Sequence, residues 1–240
     1  MTSDNNSFWT REHQRDALII LLTLVTGSID AIGFTRLGGV FTSVMTGNMV
    51  LLGVAAGKGT TSLAIHTGIA FVGYVAGSVV GARVAGHAVA NDHFWPRSIL
   101  RALFLELLVL FVFAAWWELV SAVPIGTEEY AMLSVNAVAL GIQSAAVLRF
   151  GISGLSTTYL TGTLTQFIAS FAKRRDPISG RSAFILLALI VGAGLGAVLA
   201  VHAPRFAPAF PIAVLGFVVI YGEVAFHRRQ RGPSLSADVR

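Results

Sequence analysis

The stretch ALIILLTLVTGSIDAIGF, residues 17–34, decides the class of this fold, because it carries one formal charge, at Asp30, in an otherwise uncharged and mostly apolar run. Wound as a helix at about 1.5 Å per residue, such a run approaches the hydrocarbon thickness of a bilayer. No water reaches backbone N–H and C=O groups in hydrocarbon, so the run must be helical. Seven further apolar segments follow, at 39–57, 65–89, 99–119, 131–149, 154–172, 183–203 and 209–226. Of the 240 residues, 55% are hydrophobic and 12% charged. With a mean hydropathy of +0.74, the chain lies outside the range of soluble globular domains. It reads as an all-α, polytopic transmembrane helix bundle whose first partner is the lipid bilayer.

The same composition excludes several function classes. There is no cysteine, hence no disulfide framework, thiolate zinc site or Cys nucleophile. The net charge of +5 is gathered at helix ends and in short connections, as in cytoplasmic loops, so no nucleic-acid partner is expected. His66, His87 and His202 form no metal-ligand spacing. No Gly-x-Ser-x-Gly, His-Glu-x-x-His or phosphate loop occurs, so neither an enzyme nor a metal or other cofactor is expected. Residues 1–15 are polar with no small-residue cleavage site after them, and the first helix is expected to stay in the mature chain.

An internal repeat sets the expected organisation. GSIDAIGFTRLGGVFTSVMTGN (27–48) lines up with GIQSAAVLRFGISGLSTTYLTGT (141–163), with one inserted residue. At a similar offset Gly77 and Gly81 fall on Gly192 and Gly196, and His87 on His202. The chain therefore divides into a polar cytoplasmic start (1–13), a first membrane repeat (14–119), an extracytoplasmic connection (120–130), a second repeat (131–228) and a polar cytoplasmic tail (229–240). Basic clusters at 11–15, 97–101, 173–181 and 227–231 contrast with the connection, which holds Glu128 and Glu129 and no Lys or Arg. The positive-inside rule fits all five positions when there are six crossings and both termini are cytoplasmic. Segments 39–57 and 154–172, rich in Thr, Ser and Gly, then do not span fully, and the two homologous halves are inverted about an axis in the membrane plane. A parallel four-plus-four arrangement is the alternative.

Within this frame a few polar residues stand out. Asp30 is a carboxylate at membrane depth, which suits a solute, ion or proton contact or a cap on a following helical piece. Thr46-Gly47-Asn48 and Thr161-Gly162-Thr163 break apolar segments at matching places, so that they either line a polar cavity or serve packing. Gln143 lies near the second-half counterpart of Asp30. Glu106 and Glu223 sit in apolar runs, with Arg83 and Arg149 as candidate partners; Glu106, like Asp30, is a candidate for proton coupling. Gly73, Gly77, Gly81, Gly192 and Gly196 make small-residue faces for close helix contact, either between the halves or at a homodimer seam.

These residues also carry a resemblance. Gly27 to Ala31, Phe41, Thr46-Gly47-Asn48 and Gly53, with Gly141 to Gln143, Arg149, Thr157-Thr158 and Thr161-Gly162, resemble the YoaK-like family of bacterial membrane proteins, named for a domain of unknown function. The resemblance covers 14–228 and implies a polytopic inner-membrane protein with six crossings. Ser144 departs from it, standing where an Asn is expected after Gln. Taken together, the sequence points to a small secondary transporter or permease for a small solute, with a polar site of Asp30, Thr46, Asn48, Gln143, Thr158 and Thr161 where the halves meet. The competing reading is a non-transporting membrane scaffold or partner subunit.

Overall fold

The computed structural model describes residues 3–87, 95–150, 160–173 and 178–230, and side chains over 13–87, 95–150, 160–169 and 180–224. It consists of α1 (Ser3–Arg36), α2 (Met45–Lys58), α3 (Thr61–Ala85), α4 (Arg97–Leu119), α5 (Thr127–Leu148), α6 (Leu160–Lys173), α7 (Ile178–His202) and α8 (Ala209–Gln230), with a short 3-10 turn at Pro204–Phe206 before α8. Six of these, α1 from His13 onward with α3, α4, α5, α7 and α8, are long and apolar enough to cross a membrane. The two Thr- and Gly-rich segments form α2 and α6, of 14 residues each. At about 21 Å such a helix is shorter than the roughly 30 Å hydrocarbon layer. The expected six-crossing helical bundle is therefore what the chain forms.

Helix directions follow from contacts at the two ends of the bundle. Taking the end where α1 begins as the lower end, Asp16 of α1 lies 3.6 Å from Arg181 near the start of α7. At the upper end Arg36 donates from Nε and Nη2 to the Ala200 carbonyl of α7, at 2.9 and 2.5 Å. Thus α1 and α7 run upward side by side. The α3/α5 pair runs downward: near their starts His66 Nε2 lies 3.2 Å from Glu129 Oε1, and farther along both helices Gly81 meets Ile142. Between them α4 climbs to the turn at 120–126 and packs on α5 and α8. The Trp117 indole on α4 donates to the Pro204 carbonyl at 2.8 Å.

Burial shows which helices are central. In the apolar windows of α1 and α5, 67% and 61% of residues are buried, against 28–44% in the other four crossings. The outer faces carry the apolar residues Val72, Val112, Ile190 and Ile220, all at least 60% exposed. A soluble protein would not leave such a continuous surface in water, whereas lipid covers it at no cost.

Candidate functional site

The first polar break is built around Asp30. After α1 the chain turns back through Gly38, at φ +87°, a conformation that favours glycine. A side chain there would also strike the His66 ring. Returning past Gly33, the backbone reaches the level of Asp30. There Asp30 Oδ1 accepts the Thr42 N–H (2.7 Å), the Thr42 hydroxyl (2.9 Å) and the Ser43 N–H (2.8 Å), while Oδ2 accepts the Ser43 hydroxyl at 2.5 Å. Asn48, one turn into α2, closes the other side: its Oδ1 accepts the Phe41 N–H at 3.1 Å and its Nδ2 donates to the Phe41 carbonyl at 2.6 Å. A strip of irregular backbone inside the bundle is thereby satisfied by two side chains, as hydrocarbon demands. Of the two roles open to Asp30, this geometry is that of a cap on the segment leading into α2.

Gln143 takes part in a different contact. Its Nε2 donates to Thr26 Oγ1 (2.7 Å) and to the Leu22 carbonyl (3.2 Å) on α1. This ties the two central helices together one turn below Asp30. Its Oε1 is buried without a hydrogen-bond partner. Thr46 and Thr161 are exposed on α2 and α6, and the Thr161 carbonyl accepts from the Thr165 hydroxyl at 3.0 Å. Thr158 lies outside the described residues. The six expected site residues are thus dispersed: Asp30 and Asn48 hold one loop, Gln143 holds the α1/α5 crossing, and the two described threonines face outward.

The glycines sit where two pairs of helices touch. A Cβ on Gly81 would stand 2.7 Å from both Cα and O of Ile142, and one on Gly73 2.9 Å from the Ser134 carbonyl. A Cβ on Gly77 would collide with the Val138 carbonyl. On α7, a Cβ on Gly196 would stand 2.5 Å from the Ser28 carbonyl, and one on Gly192 2.8 Å from the Leu24 Cα. All five are engaged within one chain, in the α3/α5 and α1/α7 contacts, and none is left over for a dimer seam.

Several polar residues in the interior were not singled out by sequence. Asn136, on α5, is fully buried with both amide atoms unpartnered, and Ser28 Oγ is buried without a partner. Glu106, which the sequence did single out, is likewise fully buried, and among the described residues neither of its carboxyl oxygens has a hydrogen-bond partner. An Asn in the apolar run 131–149 was a visible signal, of the same kind that marked Glu106. Among the described residues no group of three or more His, Cys, Asp or Glu could hold a metal ion.

Comparison with known proteins bears on the whole chain. The family described as "Protein of unknown function (DUF1275)" matches residues 18–221. The UPF0700 transmembrane protein YoaK of Bacillus subtilis is 36% identical over 170 residues, 71% of this chain and 70% of the relative. No solved structure matches.

Proposed function

Since the chain belongs to the DUF1275 family, we propose that this integral membrane protein is a small secondary transporter or permease for a small solute, and not an enzyme. The observation that carries the reading is the way each half lends its helices to the other. The third helix of the first half, α3, packs on α5, and its counterpart α7 packs on α1; the α3/α5 pair runs down the bundle and the α1/α7 pair runs up it. An offset of 114 residues for α1/α5 and 115 for α3/α7 carries Gly27 between Leu189 and Ala193 onto Gly141 between Tyr74 and Ser78. The same offsets carry Gly192 on Leu24 onto Gly77 on Val138, and Gly196 on Ser28 onto Gly81 on Ile142. These pairings support two inverted halves. In secondary transporters of that plan, polar sites lie near midplane between the halves, beside interrupted helices. The polar contact between the halves at Thr26 and Gln143, on α1 and α5, supports that reading.

Orientation follows from charge. Arg15, Arg83, Arg97, Arg101, Arg149 and Arg181 stand at the lower end, against Arg36, Lys58 and Arg205 with Glu118, Glu128 and Glu129 at the upper end. The positive-inside rule makes the lower end, with both termini, cytoplasmic in a bacterial inner membrane.

The absence of native cysteine provides a clean test. Thr26→Cys, which is close to isosteric, and Gln143→Cys are challenged with a membrane-impermeant thiol reagent in intact cells and in inverted vesicles. Reaction from either side supports a water-filled path. Protection from both sides in a folded protein sinks the transporter reading and favours the scaffold. The full use of Asp30 and Asn48 in holding backbone is what speaks for that second reading.

A further inference from the structure

We propose that Glu106 binds and releases a proton at the centre of the bundle, on the seam between the halves, and is the group through which transport is coupled to protons. The second clause rests on the transporter reading above; the first does not. Helix α4 turns one stripe inward, Ile99, Leu103, Glu106, Leu110, Phe113 and Trp117, all buried. Glu106 is the carboxylic residue of that apolar stripe and is two residues from the middle of a helix running from Arg97 to Leu119. The α4/α5 hairpin fixes what stands opposite. Thirteen residues back from the end of α4 at Leu119 is Glu106, and thirteen on from the start of α5 at Thr127 is Leu140. Glu106 is therefore level with Leu140, with Asn136 about one turn to one side and Gln143 about one turn to the other.

The contrast with Asp30 decides between the two buried carboxyl groups. Four donated hydrogen bonds fasten Asp30 to the chain entering α2, whereas among the described residues neither oxygen of Glu106 has a hydrogen-bond donor. Among the described ionisable side chains of the helices packed on α4, Tyr221 and Glu223 are exposed on α8, Glu128, Glu129 and Tyr130 are at the upper start of α5, His66 and Arg83 are toward the two ends of α3, and Tyr74, half-buried on α3 at about the level of Leu140, makes no hydrogen bond to Glu106. On α4 itself Arg97 and Arg101 are at the lower end and Glu118 at the upper. None of them is hydrogen-bonded to Glu106 among the described residues.

An ionised carboxylate in that place is a lone charge at the membrane centre, costing a few kcal/mol or more. The group fits there as a neutral carboxyl, and ionises when a change of state lets water in from one side. Taking up a proton from one side and returning it to the other leaves the side chain unchanged over the cycle. A proton suits the site better than a metal ion, which needs several oxygen ligands at about 2.0–2.6 Å, where Glu106 has no hydrogen-bond partner among the described residues. The unpartnered Oδ1 of Asn136 and Oε1 of Gln143, each about one turn from Leu140 on α5, are the acceptors for the carboxyl group's hydrogen or for a water that carries it.

The test is infrared difference spectroscopy on the full-length protein in lipid vesicles, comparing wild type with Glu106→Gln, which mimics the neutral form in shape. We expect a protonated-carboxyl carbonyl band that Glu106→Gln removes, that shifts in deuterium oxide, and that disappears reversibly as pH is raised. Glutamate labelled with heavy carbon, incorporated into wild type, must shift the same band, which gives a reading even where the variant does not fold. Absence of the band, or a band insensitive to both pH and deuterium, overturns the proposal. So does a band removed by sodium at fixed pH, which would mark a metal-cation site. A titrating band with Thr26→Cys and Gln143→Cys protected from both sides leaves the proton site standing and removes the transporter reading. Reactive cysteines with no titrating band do the reverse.

Discussion

Replacing Asp30 tests whether its role is to hold the chain or to meet a solute. In Asp30→Ala the backbone N–H groups of Thr42 and Ser43 lose their acceptor in a buried place. The two hydroxyls can turn to nearby carbonyls, but the amides cannot. At about 1–3 kcal/mol for each unsatisfied buried donor, the loss is about 2–6 kcal/mol, a large fraction of a typical total stability of about 5–15 kcal/mol. Asp30→Asn keeps one oxygen for both amides and can present its NH2 to the Ser43 hydroxyl, so its cost is about 1–2 kcal/mol. The assay is the denaturation midpoint of the purified protein in mild detergent, followed by size-exclusion of the heated sample. We expect Ala to lower the midpoint strongly and Asn to recover most of it. Equal midpoints for Ala, Asn and wild type would refute the capping argument and return Asp30 to the list of solute contacts.

Other expectations rest on separate contacts. Gly81→Ala must push α3 off α5 by about 0.7 Å, from 2.7 Å to ordinary contact, at a cost of about 1–3 kcal/mol. Gly196→Ala should behave alike against α1, while Gly68→Ala, on the open side of α3, should shift the same denaturation midpoint by only a few tenths of a kcal/mol. Arg36→Met removes two charge-assisted bonds to one carbonyl at the upper end of α1/α7 and should cost about 1–3 kcal/mol, with Arg36→Lys partly restoring it. Gln143→Leu discards a buried unpartnered oxygen, while Thr26 keeps its bond to the Leu22 carbonyl. Its stability should therefore be within about 1 kcal/mol of wild type although the polar crossing is gone; a large drop would make Gln143 a structural residue.

Much of the fold was legible in the sequence because lipid leaves the chain few options. A run such as 17–34 can satisfy its backbone only as a helix, and loops with Arg on one side and Glu on the other favour six crossings over eight. The small-residue spacing of Gly73, Gly77 and Gly81 announced a close contact for the same reason: without a hydrophobic drive between helices, close approach is what holds them. Which helix each glycine meets was not legible, since nothing local records whether α3 packs on α5 or on a second chain. The site was read less well. For Asp30 and Asn48 the sequence left a cavity role and a structural one side by side, because a polar side chain in an apolar run has the same appearance whether it binds a solute or the chain's own backbone.

By itself, then, the sequence determined the solvent and the helices, since these follow from short-range hydropathy along one segment at a time, and its charges favoured six crossings over eight. Only the tertiary structure decided that Asp30 has its four donors from Thr42 and Ser43, while Glu106, set among helix contacts made by residues far apart in the chain, has none. A carboxyl group's role depends on which donors surround it in space, and those are supplied by the packing of α4 on α5 and by the turn-back before α2.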